Sequence, residues 1–475
     1  MSPDTTDART PVPLTPRAFE ERTGAPLRRP PVRIVHLGLG AFHRSHQAWY
    51  TAHASDADEW GIAAFTGRSE VAARELQPQG GLYTLVQRAP EGDDFEVLTA
   101  LVEAEDGADL ARFCEVMAAA RTAIVTLTVT EPAYRVRPDH TVNTDDAVVA
   151  HDVSWLTVAL QTSDPLARVA GPTTTLGRLL LGLELRHRAG VGPVAVVPCD
   201  NMPHNGPLVR DGLLSLARLT GARSVRWIAE EVSFVSTSVD RITPKTTEED
   251  LHEVAAETGW IDAAAVVSEP FHDWILSGDF PAGRPAWETV GARFVDDIEP
   301  FERRKLWLLN GAHSLLAYAG ALRGHVTVAE AIADATCLAW VQQFWDEAVR
   351  HLPAEGLDLG DYRAALLARF GNARIEHRLA QIGMEGTTKL RVRVAPIVLA
   401  ERAAGRSGEA GMRVLGSWIA LLRRGPLPDA QQDAVRAALG IPDPTESVAA
   451  LLGLVDPQLA DAADVVDRVA RIAAE

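Results

Sequence analysis

The stretch VRIVHLGLGAFHR at residues 32–44 decides the fold. Its first six residues are mostly apolar and of strand length, and they run into Gly38-Leu39-Gly40. Two glycines one residue apart at a strand's end let the backbone turn sharply and approach a pyrophosphate. The following helix then offers free N–H groups and a positive dipole end. The third glycine usual in such turns is absent, and His43 stands there. Alone, the motif fits a dinucleotide-binding turn or a plain tight turn. Its place as the first strand of an alternating series favours the dinucleotide.

That series continues with GIAAFTG, TAIVTLTVT and PVAVVPCD, each bounded by Gly, Pro or polar residues, with amphipathic segments at 174–189 and 207–219 between them. Alternation of this kind predicts parallel strands with helical crossovers, a doubly wound α/β domain. The second strand ends in Gly67-Arg68-Ser69-Glu70. Glu70 suits an adenosine ribose hydroxyl and hence NAD, whereas Arg68 suits a 2′-phosphate and hence NADP. From about residue 296 the strands cease, and segments rich in Ala, Leu and Arg carry helical periodicity. The expected organisation is a flexible arm over 1–30, a Rossmann-type domain over 31–295 and a mainly α-helical domain over 296–475.

Composition bounds the function. The 64 acidic against 46 basic residues give a formal net charge of -18, which disfavours nucleic acid as a partner. No apolar run reaches the roughly 18–20 residues of a membrane span, and the first 30 residues show no signal-peptide pattern. Three scattered cysteines, Cys114, Cys199 and Cys337, suit a reducing compartment. The expectation is a cytoplasmic enzyme, a monomer or small homo-oligomer. His43 and His46 lack a third ligand at metal spacing, so packing or cofactor contact explains them better than a metal.

Only three of the 46 bases are lysines: Lys245, Lys305 and Lys389. Arginine keeps its proton at neutral pH, whereas a buried lysine can lose it, so each surviving lysine is a candidate base. Lys305 lies in FERRKLWLLNGAH at 301–313. On an α-helix, Lys305, Asn310 and His313 fall within about 140° of one another, among leucines. A lysine desolvated there has its pKa pushed down toward the range of a general base.

Several further blocks occur in one order. They are HLGLGAFHRSHQAWYT (36–51), TLTVTEPAY (126–134), CDNMPHNG (199–206), SVDRITP (238–244), SEPFHDWI (268–275), the 283–318 stretch around the lysine, and QIGMEGTTKL (381–390). Together they resemble the long-chain mannitol dehydrogenase family, the polyol-specific long-chain dehydrogenases and reductases, from about residue 30 to 425. The resemblance implies a Rossmann-type domain followed by a helical one, and NAD(P)-dependent oxidation of a secondary alcohol without metal. It makes Lys305 the general base and gives Asn310 and Asn201 hydrogen bonds to the reacting oxygen. By the same resemblance His313 positions substrate, while Glu302 and Glu131 pass the proton to solvent.

Asp240, Arg241 and Lys389 match positions lining the substrate pocket. Gln381 stands where some polyol-oxidising members carry Arg. The turn residues Gly38, Gly40, Phe42, His43 and Arg44, with Arg68 and Glu70, make up the expected cofactor site. PHNG resembles the mannitol branch and QIGMEGTTKL the fructuronate reductase branch. Without an Arg at 381 the expectation leans to a neutral polyol and ketose pair, with a sugar acid as the alternative. Two other classes compete: a Schiff-base lyase, which also wants a desolvated lysine, and a nucleotide-sensing regulator with a decayed site. The glycine turn argues against the first, and intact Lys305, Asn310 and His313 against the second.

Overall fold

Strand β1, Val32–Leu37, lies inside a six-stranded parallel sheet. The other strands are β2 (Gly61–Phe65), β3 (Leu101–Glu105), β4 (Ile124–Leu127), β5 (Val194–Pro198) and β6 (Val232–Phe234). In a computed structural model that describes residues 10–475, their spatial order is β3-β2-β1-β4-β5-β6. The order reverses between β1 and β4, and ligands of such sheets bind where the strands' carboxyl ends open at that reversal. Alternate residues serve opposite faces. Val35, Leu37, Val125 and Val196 pack with Leu179, Leu180 and Leu213 of the crossover helices Thr175–Arg188 and Asn205–Thr220. On the other face, Ile34, Ile62, Ile124 and Val197 pack with Tyr50, Trp274 and Trp287.

This first unit runs to Ile298. It carries additions that the strand alternation did not announce. Tyr83–Ala89 and Gly92–Leu98 form an antiparallel hairpin, which Val266–Ser268 joins in parallel. Ser236–Asp240 pairs antiparallel with Asp273–Ser277.

The flexible arm expected over 1–30 is corrected for residues 10–30; residues 1–9 lie outside the described residues. Val12–Pro13 pairs in parallel with Trp260–Ile261, and Thr15 caps the helix Pro16–Thr23. Leu14 is fully buried against Leu82 and Trp260, and the Arg22 guanidinium lies 3.7 Å over the Trp260 ring. Burying a leucine contributes about 1.5–3 kcal/mol, and the strand pairing, the helix cap and the Arg22–Trp260 contact add to it.

The second unit, Glu299–Glu475, is helical throughout its regular structure, with no strand among the described residues. Its first long helix departs from α geometry. Glu299–Arg304 is α-helical, Lys305–Gly311 and Leu316–Gly320 widen to π turns, and Ala312–Leu315 is α-helical between them. Residues 311–320 are buried on every side, so this is a core helix rather than an amphipathic one. A Cβ on Gly311 would lie 2.6 Å from the Phe344 ring of helix Ala335–Val349, which explains the glycine at this helix crossing. Extra donors reach the carbonyls of the widened segment. Trp345 Nε1 donates to Leu308 O at 2.7 Å, and Ser314 Oγ donates to Asn310 O at 3.1 Å.

Candidate active site

In the first unit, three carboxyl ends at or beside the sheet's reversal carry the expected residues. After β1, Gly38 has φ +103°, and a Cβ there would collide with the Thr128 carbonyl oxygen. Gly38 N and Leu39 N both donate to Phe65 O, at 2.9 and 3.0 Å, which ties the turn to β2. Gly40 is extended, at φ −143°, and caps the helix Ala41–Ser45. A Cβ on Gly40 would meet only Gly38 O, at 3.5 Å, so the space above the turn is open. An open cradle over a helix start fits the pyrophosphate of a dinucleotide. Phe42 is half-buried and stacks on His46, ring centroids 5.0 Å apart.

The side chains of the next two residues, His43 and Arg44, are buried, so any contact they make with a cofactor is left to their backbone. His43 is fully buried and stacks on His36 with ring centroids 3.3 Å apart, beneath the turn. Arg44 is buried too, donating to Ala264 O and, at 3.2 Å, to Gly40 O. A guanidinium so engaged ties the helix to the loop before Val266–Ser268. His46 is likewise a packed residue, bonded to Asp273 O at 3.1 Å and to the Gln47 amide at 3.0 Å.

At the end of β2, Arg68 and Glu70 are both exposed, and Glu70 pairs with Arg74 at 3.3 Å. A residue the sequence reading missed holds this loop. Arg178 on helix Thr175–Arg188 donates to Thr66 O and Gly67 O at 3.3 and 3.2 Å.

Beyond β4 and β5 the organiser is Asp200, also missed, although it sits inside the quoted CDN. Its Oδ1 accepts from Val129 N and Thr130 N at 2.8 and 2.6 Å, and its Oδ2 accepts from the Tyr134 hydroxyl at 2.5 Å. Asn205 fastens the same loop from behind, donating to Asp200 O at 3.1 Å and to Thr237 O at 2.9 Å. The two loops that carry Asn201 and Glu131, both exposed, are thereby locked together. An acid between Cys and Asn is the signal that could have marked it.

Asp240 is buried at the end of its strand. Arg241 is corrected as a substrate residue. Its guanidinium donates to Glu269 O at 3.0 Å, to Gln87 Oε1 at 2.9 Å and to Ser45 O, and burial lowers its pKa to about 10.

In the second unit, Lys305 opens the π-turn segment, Asn310 stands one residue before its end at Gly311, and Glu302 precedes it on Glu299–Arg304. The α-helical angle assumed above is therefore replaced. A wide i→i+5 turn advances each residue by less than the 100° of an α-helix, which brings residues five apart nearer to one side than the α-helical angle does. Lys305 is half-buried, while Lys245 is exposed.

His313 is buried, its ring 4.8 Å from His377 and 4.9 Å from Phe370. Burial, with His377, Arg369, Arg393 and Lys305 nearby, holds the His313 imidazole neutral. His377 is lowered by burial and by Arg369 and Lys389. Lys389 donates to Ile382 O at 2.9 Å, and burial with Arg393 pushes its pKa down to about 8. Gln381 is exposed on the short helix Leu379–Ile382. Sequence reasoning missed Arg369, His377 and Arg393, which belong to no quoted motif and meet only through folding.

Among the described residues, one group gathers three side chains with metal-ligating atoms. His325, Asp334 and Cys337 lie within 4.8 Å of one another, but Arg323 Nε is 2.6 Å from Asp334, so a guanidinium already balances that carboxylate.

The chain matches the model of the mannitol dehydrogenase Rossmann domain over residues 32–289 and that of the mannitol dehydrogenase C-terminal domain over 297–472. It is 37% identical over 371 residues to the D-mannonate oxidoreductase of Escherichia coli K12, covering 75% of this chain and 73% of that protein. Against a mannitol 2-dehydrogenase of Aspergillus fumigatus it is 35% identical over 379 residues, covering 77% and 73%. Among solved structures, the Pseudomonas fluorescens mannitol 2-dehydrogenase in ternary complex with NAD and D-mannitol superposes with a TM-score of 0.77 at 30% identity, covering 95% and 92% of the two chains. A substrate-free D-sorbitol dehydrogenase gives 0.83 at 26% identity, covering 94% and 93%. With both domains matched in order over a dinucleotide turn and a Lys-Asn-His segment, this chain belongs to the mannitol dehydrogenase family of oxidoreductases.

Proposed function

We propose that this protein is an NAD-dependent oxidoreductase interconverting a polyol and its ketose, with Lys305 as general base. The observation that carries the reading is the π-turn segment Lys305–Gly311, which holds Lys305 and Asn310 five residues apart, with His313 just beyond. NAD, when bound, would supply the hydride acceptor for the carbinol carbon. Lys305 takes the hydroxyl proton, and the amides of Asn310 and Asn201 donate to the oxygen as it gains charge, each about 3 kcal/mol in comparable oxyanion holes. A neutral His313 serves as a hydrogen-bonding guide for a substrate hydroxyl rather than as a cation. Glu302 and Glu131 return the proton to solvent, and Asp240, Gln381 and Lys389 recognise the remaining hydroxyls. Gly38, Gly40 and Phe42 receive the pyrophosphate side of NAD. Glu70 repels a 2′-phosphate and sets the preference for NAD over NADP, against which Arg68 is the competing cation. Free, buried cysteines fit a cytoplasmic protein, active as a monomer or small homo-oligomer.

A second reading is favoured by one observation: Arg369, Lys389 and Arg393 stand near His313 and His377. That much positive charge suits a carboxylate, as in a sugar acid such as fructuronate. The test is kcat/KM for fructose against fructuronate with NADH at matched pH and low salt. The polyol reading expects fructose to win. A tenfold preference for fructuronate, about 1.4 kcal/mol, replaces it with the sugar-acid reading.

A further inference from the structure

His36 and His43 remain unused by the function just proposed. Both are fully buried below the glycine turn, with rings parallel within 8°. His36 is hydrogen-bonded at both nitrogens: Nδ1 lies 2.8 Å from Thr126 Oγ1, and Nε2 lies 3.0 Å from Thr128 Oγ1. Thr128 Oγ1 is also 3.0 Å from the carbonyl oxygen of Gly38, to which it donates. A threonine hydroxyl has one proton. If it goes to Gly38 O, then Thr128 must accept from His36 Nε2–H. His36 Nδ1 is then a lone pair, which the Thr126 hydroxyl satisfies. In the opposite tautomer Thr128 must donate to His36 Nε2, and the Gly38 carbonyl loses that donor. Buried polar groups are paired in native proteins, so the first arrangement prevails.

From this chain of bonds we infer that Thr126, His36 and Thr128 form a one-directional relay that fixes the Gly38 carbonyl, and with it the Gly38–Leu39 peptide of the glycine turn. They are positioning residues, acting on the cofactor only through the turn. His43 holds the His36 ring flat from the helix that begins at the turn, which explains an imidazole where a third glycine would stand. Burial keeps His36 neutral, pushed down to about 3, and His43 also well below its ordinary value, so the relay does not switch with pH in the physiological range. The inference rests on the reading that this turn binds NAD.

The test uses the full-length protein with Thr126→Val, Thr126→Ser, Thr128→Val and Thr128→Ser. Measurements are Kd for NADH by fluorescence, the inhibition constant of ADP-ribose, kcat at saturating NADH, and Tm. Both valine variants should weaken NADH about tenfold, the effect of one buried hydrogen bond. ADP-ribose should weaken in parallel, while kcat at saturation stays within twofold and both serine variants bind as wild type. Thr126→Val is the decisive variant, because its side chain reaches the turn only through His36. If Tm falls while the valine variants bind NADH within twofold of the serine ones, the relay is mere packing and the inference is wrong. Loss of NADH affinity without loss of ADP-ribose affinity also overturns it, since the effect then lies at the nicotinamide end. Wild-type protein that binds neither ligand would instead refute the dinucleotide reading itself.

Discussion

Lys305 can be tested against its neighbours in kind. Lys305→Ala should lower turnover by about 10²- to 10⁴-fold, the usual range for a general base, with Kd for NADH nearly unchanged. Lys305→Arg should be almost as inactive, because guanidinium keeps its proton. Near wild-type turnover at neutral pH in either variant would remove Lys305 from the mechanism. Burial and the nearby Arg393 push the Lys389 pKa down to about 8. Its sign is that of a depressed base, charged below that pH and neutral above. If an anionic sugar acid is the substrate, its KM should stay flat below pH 8 and rise above it. Lys389→Gln should flatten that profile, whereas KM for fructose should not follow it. Arg241 makes the complementary point. The family resemblance implied a substrate contact, but three internal acceptors engage it, one of them on Gln87, 154 positions away.

At the scale of elements, the π-turn segment is the unit that assembles the candidate site. The Lys305–Asn310 relation depends on the wide turn, and Trp345 helps hold that turn through its bond to Leu308 O. Trp345→Phe removes one buried hydrogen bond while keeping most of the packing. It should cost about 1–2 kcal/mol of stability and lower kcat more than it raises KM, read from thermal unfolding and steady-state kinetics. A fall in stability with kcat intact would show that the wide turn stands without Trp345. The Asp200 clamp is the corresponding device of the first unit. It gathers two backbone N–H groups and a tyrosine hydroxyl from one loop onto the other. Neither device shows in hydrophobic periodicity, because each is built from single side-chain bonds between distant segments.

For the whole molecule, cofactor binding is linked to stability by mass action. NADH at a hundred times its Kd should stabilise the first unit by about 2.7 kcal/mol, a rise of about 5–10 °C in its unfolding midpoint. NADPH at the same concentration should do less if Glu70 faces the ribose, and an equal or larger rise would shift the assignment to Arg68. The sequence by itself determined the parallel sheet, the helical second half, the glycine turn and the Lys-Asn-His segment. Each of these is written locally, in period-2 or period-3.6 patterns, in glycine spacing, or in ordered motifs. Only the tertiary structure decided that residues 10–30 are docked, that His43, Arg44 and Arg241 turn inward, and that the lysine helix widens. The physical reason is the same each time. A side chain's partner is chosen by what folding brings beside it: Leu14 finds Trp260, Arg44 finds Ala264, and Leu308 finds the indole of Trp345. Local pattern places backbone elements, and long-range desolvation and hydrogen bonding then assign the polar side chains to cradle or core.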